Sequence, residues 1–300
     1  MNTVPEASLS RKAVERASSG QRTKDLMFKL MLLLSVSVGF VVLAALMLDV
    51  LVDGGSRVSL DFVTSFPSRI SPENTGVKSA LIGTIYLMIL CAVFIVPVGV
   101  ATAVYLEEYA NRESRLSRII EVNIQNLAAV PSVVYGILGL AFIVRGPLGL
   151  GPVLLAGALT LGLLVLPVVI IVAREAIRAV PPSIREGSMA LGATQWQTIW
   201  KQVLPGALPG IATGVILALS RAIGETAPLL VIGAATFARF NPEGITDRFT
   251  AMPLAIFEFI SDADTEFRSA GAAAIIVLLA LLVVMNAGAI FLRNRYERKW

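Results

Sequence analysis

The chain of 300 residues has no histidine and a single cysteine. The imidazole and thiolate sets that hold zinc, haem or copper therefore have no raw material, and no metal site is expected. Cys91 cannot form an internal disulfide and lies within an apolar run, where it reads as a small buried hydrophobe. A glycine-rich loop ending in Gly-Lys-Ser or Gly-Lys-Thr is also missing. Without that phosphate cradle, any step driven by ATP would need ATP and its magnesium on a separate chain, and this chain is expected to bind no cofactor. No covalent catalysis by it is implied. Charged residues are scarce, at 15% of the sequence.

What the chain has instead is apolar length. Hydrophobic residues make up 56% of it, and its mean hydropathy is +0.77, far above an ordinary soluble domain, so much of it belongs in lipid. A spanning helix needs about 20 mostly apolar residues. Six segments qualify: 28–52, 80–106, 123–144, 152–173, 206–237 and 270–292. The expected fold is an all-α polytopic membrane protein of six transmembrane helices. It would comprise a cytoplasmic tail at 1–27, a first transmembrane helix at 28–52, an extracytoplasmic loop at 53–79, a five-helix core at 80–292 and a cytoplasmic tail at 293–300. With both termini inside, the inner segments hold seventeen Lys and Arg residues, including Arg11, Lys12, Arg16, Arg112, Arg115, Arg118, Arg174, Arg178 and Arg185, against seven outside. The positive-inside rule supports that orientation. The first 25 residues, polar and basic, read as a disordered tail or a short interfacial helix rather than a cleaved signal peptide, because the apolar run that follows is too long for one. Membrane topology accounts for the net charge of +4 without nucleic acid.

The most informative stretch is polar and lies between two spans: PPSIREGSMALGATQWQTIWKQVLPGALP, residues 181–209. Pro181 and Pro182 stop the preceding helix, and Ser183 with Glu186 reads as a capping box that starts a short new one. Gly192 ends it. Thr194 with Gln197 repeats the capping logic for a second helix through Trp196, Ile199, Trp200 and Val203, which Leu204-Pro205 is expected to break. Ile184, Met189, Leu191, Trp196 and Trp200 are then available to fill a groove on a partner. The spacing of Glu186, Gly187, Ser188, Gly192, Ile199, Leu204 and Pro205 resembles the coupling motif of the membrane subunits of ABC importers. Gly187 and Ser188 stand where two alanines are commonest, which keeps the small side chains but weakens the helix slightly.

The fifth apolar segment carries Arg221 and Glu225 in the run Leu219-Ser220-Arg221-Ala222-Ile223-Gly224-Glu225-Thr226-Ala227-Pro228. Arg221 would lie about fourteen residues, or ~21 Å, into the span. Charges at such depth cost on the order of 2.5 to 3.5 kcal/mol each on insertion scales and normally face a partner or a wet cavity. The i, i+4 spacing puts both on one helical face. Two readings stand: a structural ion pair, or an arginine that attracts a passing anion while Glu225 tunes the site. The planar guanidinium fork suits tetrahedral oxyanions. Ser220 and Thr226 flank the pair. Arg174 ends the fourth apolar run as a positive-inside anchor or as a second basic station on the substrate's way out. Glu107 and Glu108 are expected to pair with Arg112, Arg115 or the hairpin. Pro97, Pro131 and Pro167 would bend their helices.

RAIGETAP at 221–228, LEEY at 106–109, VPSVVYG at 130–136 and the hairpin together resemble the PstA-type permease subunits of phosphate ABC importers, over about residues 96–235. That resemblance implies a type I ABC importer permease fold whose first helix wraps around its partner. It also implies a heterodimer with a related PstC-like permease, a dimeric PstB-like ATPase and an extracytoplasmic PstS-like phosphate-binding protein, at a bacterial inner membrane. Arg221, Glu225, Ser220, Thr226 and Arg174 would then line the substrate path, and the hairpin would couple it to ATP. A permease for sulfate, molybdate or phosphonate, or an ATP-independent channel or secondary transporter, remains the alternative.

Overall fold

Inside a bilayer every backbone N–H and C=O needs a partner within the protein, and a helix supplies those partners from its own segment. The computed structural model describes residues 19–111 and 114–296. Among them the chain is helical, with one isolated β-type bridge between Val153 and Arg248. Five helices are long and apolar enough to cross a membrane, or six if one bent pair counts as a span. The all-α polytopic architecture expected from the sequence is what the structure has.

Two units are distinguishable, Met1–Asp49 and Val50–Trp300. The first holds most of α1 (Ser19–Gly54), a helix of 36 residues. Residues 19–27, expected as tail, belong to that helix, whereas the tail at 1–18 lies outside the described residues.

Within the second unit, α2 (Leu60–Thr64) precedes α3 (Lys78–Val104), which ends in a π-turn at Tyr105–Tyr109. Helix α6 (Leu154–Arg178) lies along α3. Helix α9 (Leu204–Ala222) packs on α6, and α12 (Thr265–Tyr296) packs on α9 and on α11 (Met252–Ser261). Leu87, Cys91, Ile95, Leu161 and Val165 fill the α3–α6 seam, each almost wholly buried. Cys91 is thus the small core residue its surroundings implied. Pro97 and Pro167 sit inside α3 and α6 without ending them.

The apolar run at 123–144 is not one straight span. It divides into α4 (Arg115–Ala128) and α5 (Ser132–Leu138), the latter continued by a π-turn to Val144, and the helix direction bends by 107° between the two arms. Pro131 lacks an N–H and keeps Val130 from the helical region, so the chain turns there. The Tyr135 hydroxyl donates to the Leu127 carbonyl at 2.9 Å, a second bond beside the one from Val130 N–H, and ties α5 to the end of α4 across the bend.

The segment at 206–237 departs from expectation at both ends. Leu204-Pro205 does not break the helix: Ile199–Val203 forms a π-turn between α8 (Gln195–Thr198) and α9, giving one apolar helix over Gln195–Ala222. Widening the ladder there, with Leu204 N–H bonded to Ile199 O, absorbs the N–H that Pro205 lacks. At the far end the helix stops at Ala222 and resumes only as α10 (Ala227–Val231). Continuing it would drive the Pro228 ring into the Gly224 carbonyl four residues back.

Candidate functional site

The intramembrane charges lie at this break. Arg221 occupies the last turn of α9, where a cation is favoured by the helix dipole. Its Nε is 3.6 Å from Glu225 Oε1, and the two side chains are 44% and 19% exposed. The pair therefore meets across a helix end, not along one helical face as the spacing alone implied. Neighbouring Ser220 turns the other way: its hydroxyl is 2.8 Å from both the Ile216 carbonyl and Asn286 Oδ1 on α12. Thr226 heads α10 with a half-buried side chain and passes its carbonyl to Leu230 N–H. The structure thus brings Arg221 and Glu225 together, while Ser220 faces α12 and Thr226 stands next in the chain without a side-chain contact to the pair described. It adds Asn286, whose signal was a lone amide in the apolar run at 270–292.

Helix α5 seats α10 beside these charges. A Cβ on Gly136 would stand 2.8 Å from Pro228 Cα and 3.0 Å from Val231 Cβ, so this crossing requires glycine.

Arg174 is elsewhere. Its guanidinium lies 3.2 Å from Glu121 on α4 and 3.8 Å from Glu107 in the α3 π-turn, with the side chain 12% exposed. Two carboxylates hold it at the end of the bundle that faces the 181–209 hairpin. Glu108 pairs with the hairpin's Arg185 at 2.8 Å, as one of the expected pairings had it. Arg112 lies outside the described residues.

The hairpin consists of α7 (Pro182–Ala190) and α8 around Gly192, whose φ of +87° is natural for glycine. One capping box is correct and the other is not. Thr194 and Gln197 form theirs, with the Gln197 N–H and Thr194 N–H each bound by the other's side chain. Ser183 and Glu186 form none; α7 starts at Pro182, already a favoured first residue, with Pro181 as its N-cap. Ser188 instead accepts from the Thr198 hydroxyl at 2.9 Å and ties the two helices together. Glu186, Gly187 and Gly192 are exposed, Leu204 and Pro205 half-buried, and Ile199 fully buried. Leu191 is 92% exposed at the tip. Trp196 and Trp200 stack at 5.6 Å and line an apolar cavity of about 820 Å³ against Pro97, Val100 and Tyr105, away from that tip.

Comparison with known proteins places this arrangement. The profile of the binding-protein-dependent transport system inner membrane component matches residues 95–298. The chain belongs to that family. It is 33% identical to the phosphate transport system permease protein PstA 1 of Mycobacterium tuberculosis, over 74% of this chain and 72% of the relative. To the phosphate transport system permease protein PstA of Haemophilus influenzae it is 30% identical, over 89% and 91%. To the probable ABC transporter permease protein YqgI of Bacillus subtilis it is 32% identical, over 67% of each. A solved bacterial alginate ABC transporter, in complex with an alginate pentasaccharide-bound periplasmic protein, aligns with a TM-score of 0.69 at 17% identity, over 92% of this chain and 97% of that one. The MetNI methionine ABC transporter in an inward-facing form aligns at 0.56 and 19%, over 74% and 95%. At those identities the likeness is one of fold: the chain has the type I ABC importer permease fold. The members of this family are membrane subunits of importers, and the match covers the charge pair and the hairpin alike.

Proposed function

We propose that this chain is the permease subunit that carries inorganic phosphate across a bacterial inner membrane into the cytoplasm, driven by ATP hydrolysed on a separate chain. The reading rests on Arg221, a guanidinium at a helix break within the bundle that keeps 44% of its side chain exposed although Glu225 is beside it. A purely structural pair would be expected to bury both partners, whereas an exposed fork retains donors for an oxyanion. Relatives named as phosphate permeases, matched over most of both chains, support phosphate as that oxyanion.

In this reading both termini are cytoplasmic and the hairpin faces the motor. Gly187 and Gly192, where an added Cβ would meet nothing within 4 Å, and the bare Leu191 leave the tip open for the ATPase. A related permease completes the pathway as a heterodimer, an ATPase dimer drives it, and an extracytoplasmic phosphate-binding protein delivers the ion. Closure of the ATPase dimer moves the hairpin, the helices rock, and phosphate passes Arg221 unchanged. The two carboxylates on Arg174 favour an anchoring role for it over direct contact with the ion.

Labelled phosphate uptake by the reconstituted complex, with and without ATP, tests the proposal. Uptake should require ATP and the binding protein. Equal uptake without ATP would point to a secondary transporter, and ATP-dependent uptake of sulfate but not phosphate to another oxyanion.

A further inference from the structure

The first arm of the hairpin, α7, has little apolar attachment to the body, whereas the second arm runs on into α9 through the buried Ile199 and Val203. None of the α7 residues is buried, and Ile184 is only half-buried against the cluster of Ile177, Val180 and Val203. What holds α7 is Arg185. Its Nε and Nη2 donate to Glu108 Oε1 at 3.1 and 2.8 Å, Nη1 donates to the Val180 carbonyl at 2.5 Å, and Nη2 also donates to the Ile177 carbonyl at 2.9 Å. One guanidinium thus closes the open carbonyl end of α6 and grips the end of α3. The second arm reaches the same place, since Gln195 of α8 donates its side-chain N–H to the Glu108 carbonyl at 2.7 Å.

The preceding residue does the complementary thing. Glu107, with its side chain 1% exposed, accepts from Arg178 Nε at 3.1 Å and from Arg178 Nη2 at 3.2 Å, joining α3 to α6 through two parallel bonds. Both acids lie in the π-turn Tyr105–Tyr109, closed by Ala110 N–H to Tyr105 O at 2.9 Å. One carboxylate of the turn is bound to α6 and the next to α7.

We infer that the acid pair Glu107-Glu108 is a transmission clamp, in which Glu108 and Arg185 act as positioning residues that make α3 and α6 follow the hairpin when it moves. Apolar surfaces slide over one another at small cost, whereas a guanidinium with several fixed acceptors resists both rotation and shear. Because the attachment is polar and half-buried, it links the motor-facing hairpin to the two helices that carry the core seam. The inference rests on the proposed coupling role of the hairpin.

The test uses the full complex in vesicles with its ATPase and binding protein, comparing the parent with Glu108→Arg, Arg185→Glu and the double exchange. Hydrolysis is read with and without liganded binding protein. Glu108→Arg should assemble, keep its unstimulated hydrolysis and lose stimulation on the order of tenfold, within the range seen for residues that carry coupling between sites. The double exchange restores the ion pair but not the donors to the Val180 and Ile177 carbonyls, so it should recover part of that loss. Unaltered stimulation in Glu108→Arg, or none regained in the exchange, overturns the clamp. Should Glu108→Arg fail to assemble, Glu108→Gln keeps the size and the carbonyl contact to Gln195 and should lose part of the stimulation; no loss there overturns it equally. A parent complex that shows no stimulated hydrolysis would instead overturn the coupling role itself.

Discussion

Gly136 and Pro228 meet almost backbone to backbone: a Cβ on the glycine would lie 2.8 Å from Pro228 Cα. The contact holds α5 against α10 at the point where the α9 helix has just ended, so it sets where Glu225 stands relative to Arg221. Gly136→Val should therefore destabilise the purified subunit by about 1 to 3 kcal/mol through overpacking, and lower uptake as well. Gly187→Ala is the control, because the added Cβ would meet nothing within 4 Å and alanine favours a helix. Thermal unfolding of both variants in detergent checks this; equal melting would mean that α5 and α10 are free to separate.

The hairpin turn gives a second prediction. Gly192 has φ +87°, where an L side chain costs roughly 1 to 2 kcal/mol and a β-branched one more. Gly192→Val should misalign α7 and α8, reducing transport and stimulated ATP hydrolysis while leaving membrane insertion intact. Normal coupled hydrolysis in that variant would remove the case for the hairpin as coupling element.

Topology gives a third. With both termini cytoplasmic, the loops around Ser71 and Glu243 are outside and Leu191 is inside. Native Cys91 is fully buried, so background labelling should be low. Cysteines introduced at Ser71 and Glu243 should react with a membrane-impermeant reagent in cells lacking an outer-membrane barrier, and one at Leu191 should not. Protection of both outer sites together with labelling of Leu191 would invert the orientation.

The fold class was legible because apolar length and helical structure go together in lipid, and the hairpin because Thr194, Gln197 and Gly192 carry local instructions that no tertiary contact contradicts. The misreadings share a cause. Hydropathy measures whether a segment is apolar, and says nothing of whether its helix is continuous, so Pro228 broke a run that looked unbroken, whereas the bend at Pro131 was expected and proved sharp. Pro205 did the reverse, because a π-turn absorbed it. Ser183 and Glu186 matched the capping pattern, but Pro182 begins α7 without a capping side chain. Of the charge pair, spacing indicated the proximity and missed the geometry. The Glu108–Arg185 and Ser220–Asn286 contacts span 77 and 66 residues, so local pattern left their pairing open.

The last prediction concerns the choice between two similar anions. Phosphate near neutral pH keeps at least one proton and can donate a hydrogen bond, whereas sulfate only accepts. An ionised Glu225 at 3.6 Å from Arg221 would accept from the first and repel the second, so specificity would come as much from rejection as from attraction. Arg221→Ala should nearly abolish uptake, by at least about tenfold, since it removes a charged donor and leaves Glu225 without its counter-ion. Glu225→Gln should act differently: the amide donates as well as accepts, so phosphate uptake should fall less while sulfate becomes an effective competitor. The measurement is sulfate competition against labelled phosphate uptake in the parent and in Glu225→Gln, both in the assembled complex. If Glu225→Gln stays as indifferent to sulfate as the parent, the carboxylate has no part in selection. Glu225 would then serve only to neutralise Arg221, and phosphate would be chosen before it reaches the membrane, by the binding protein.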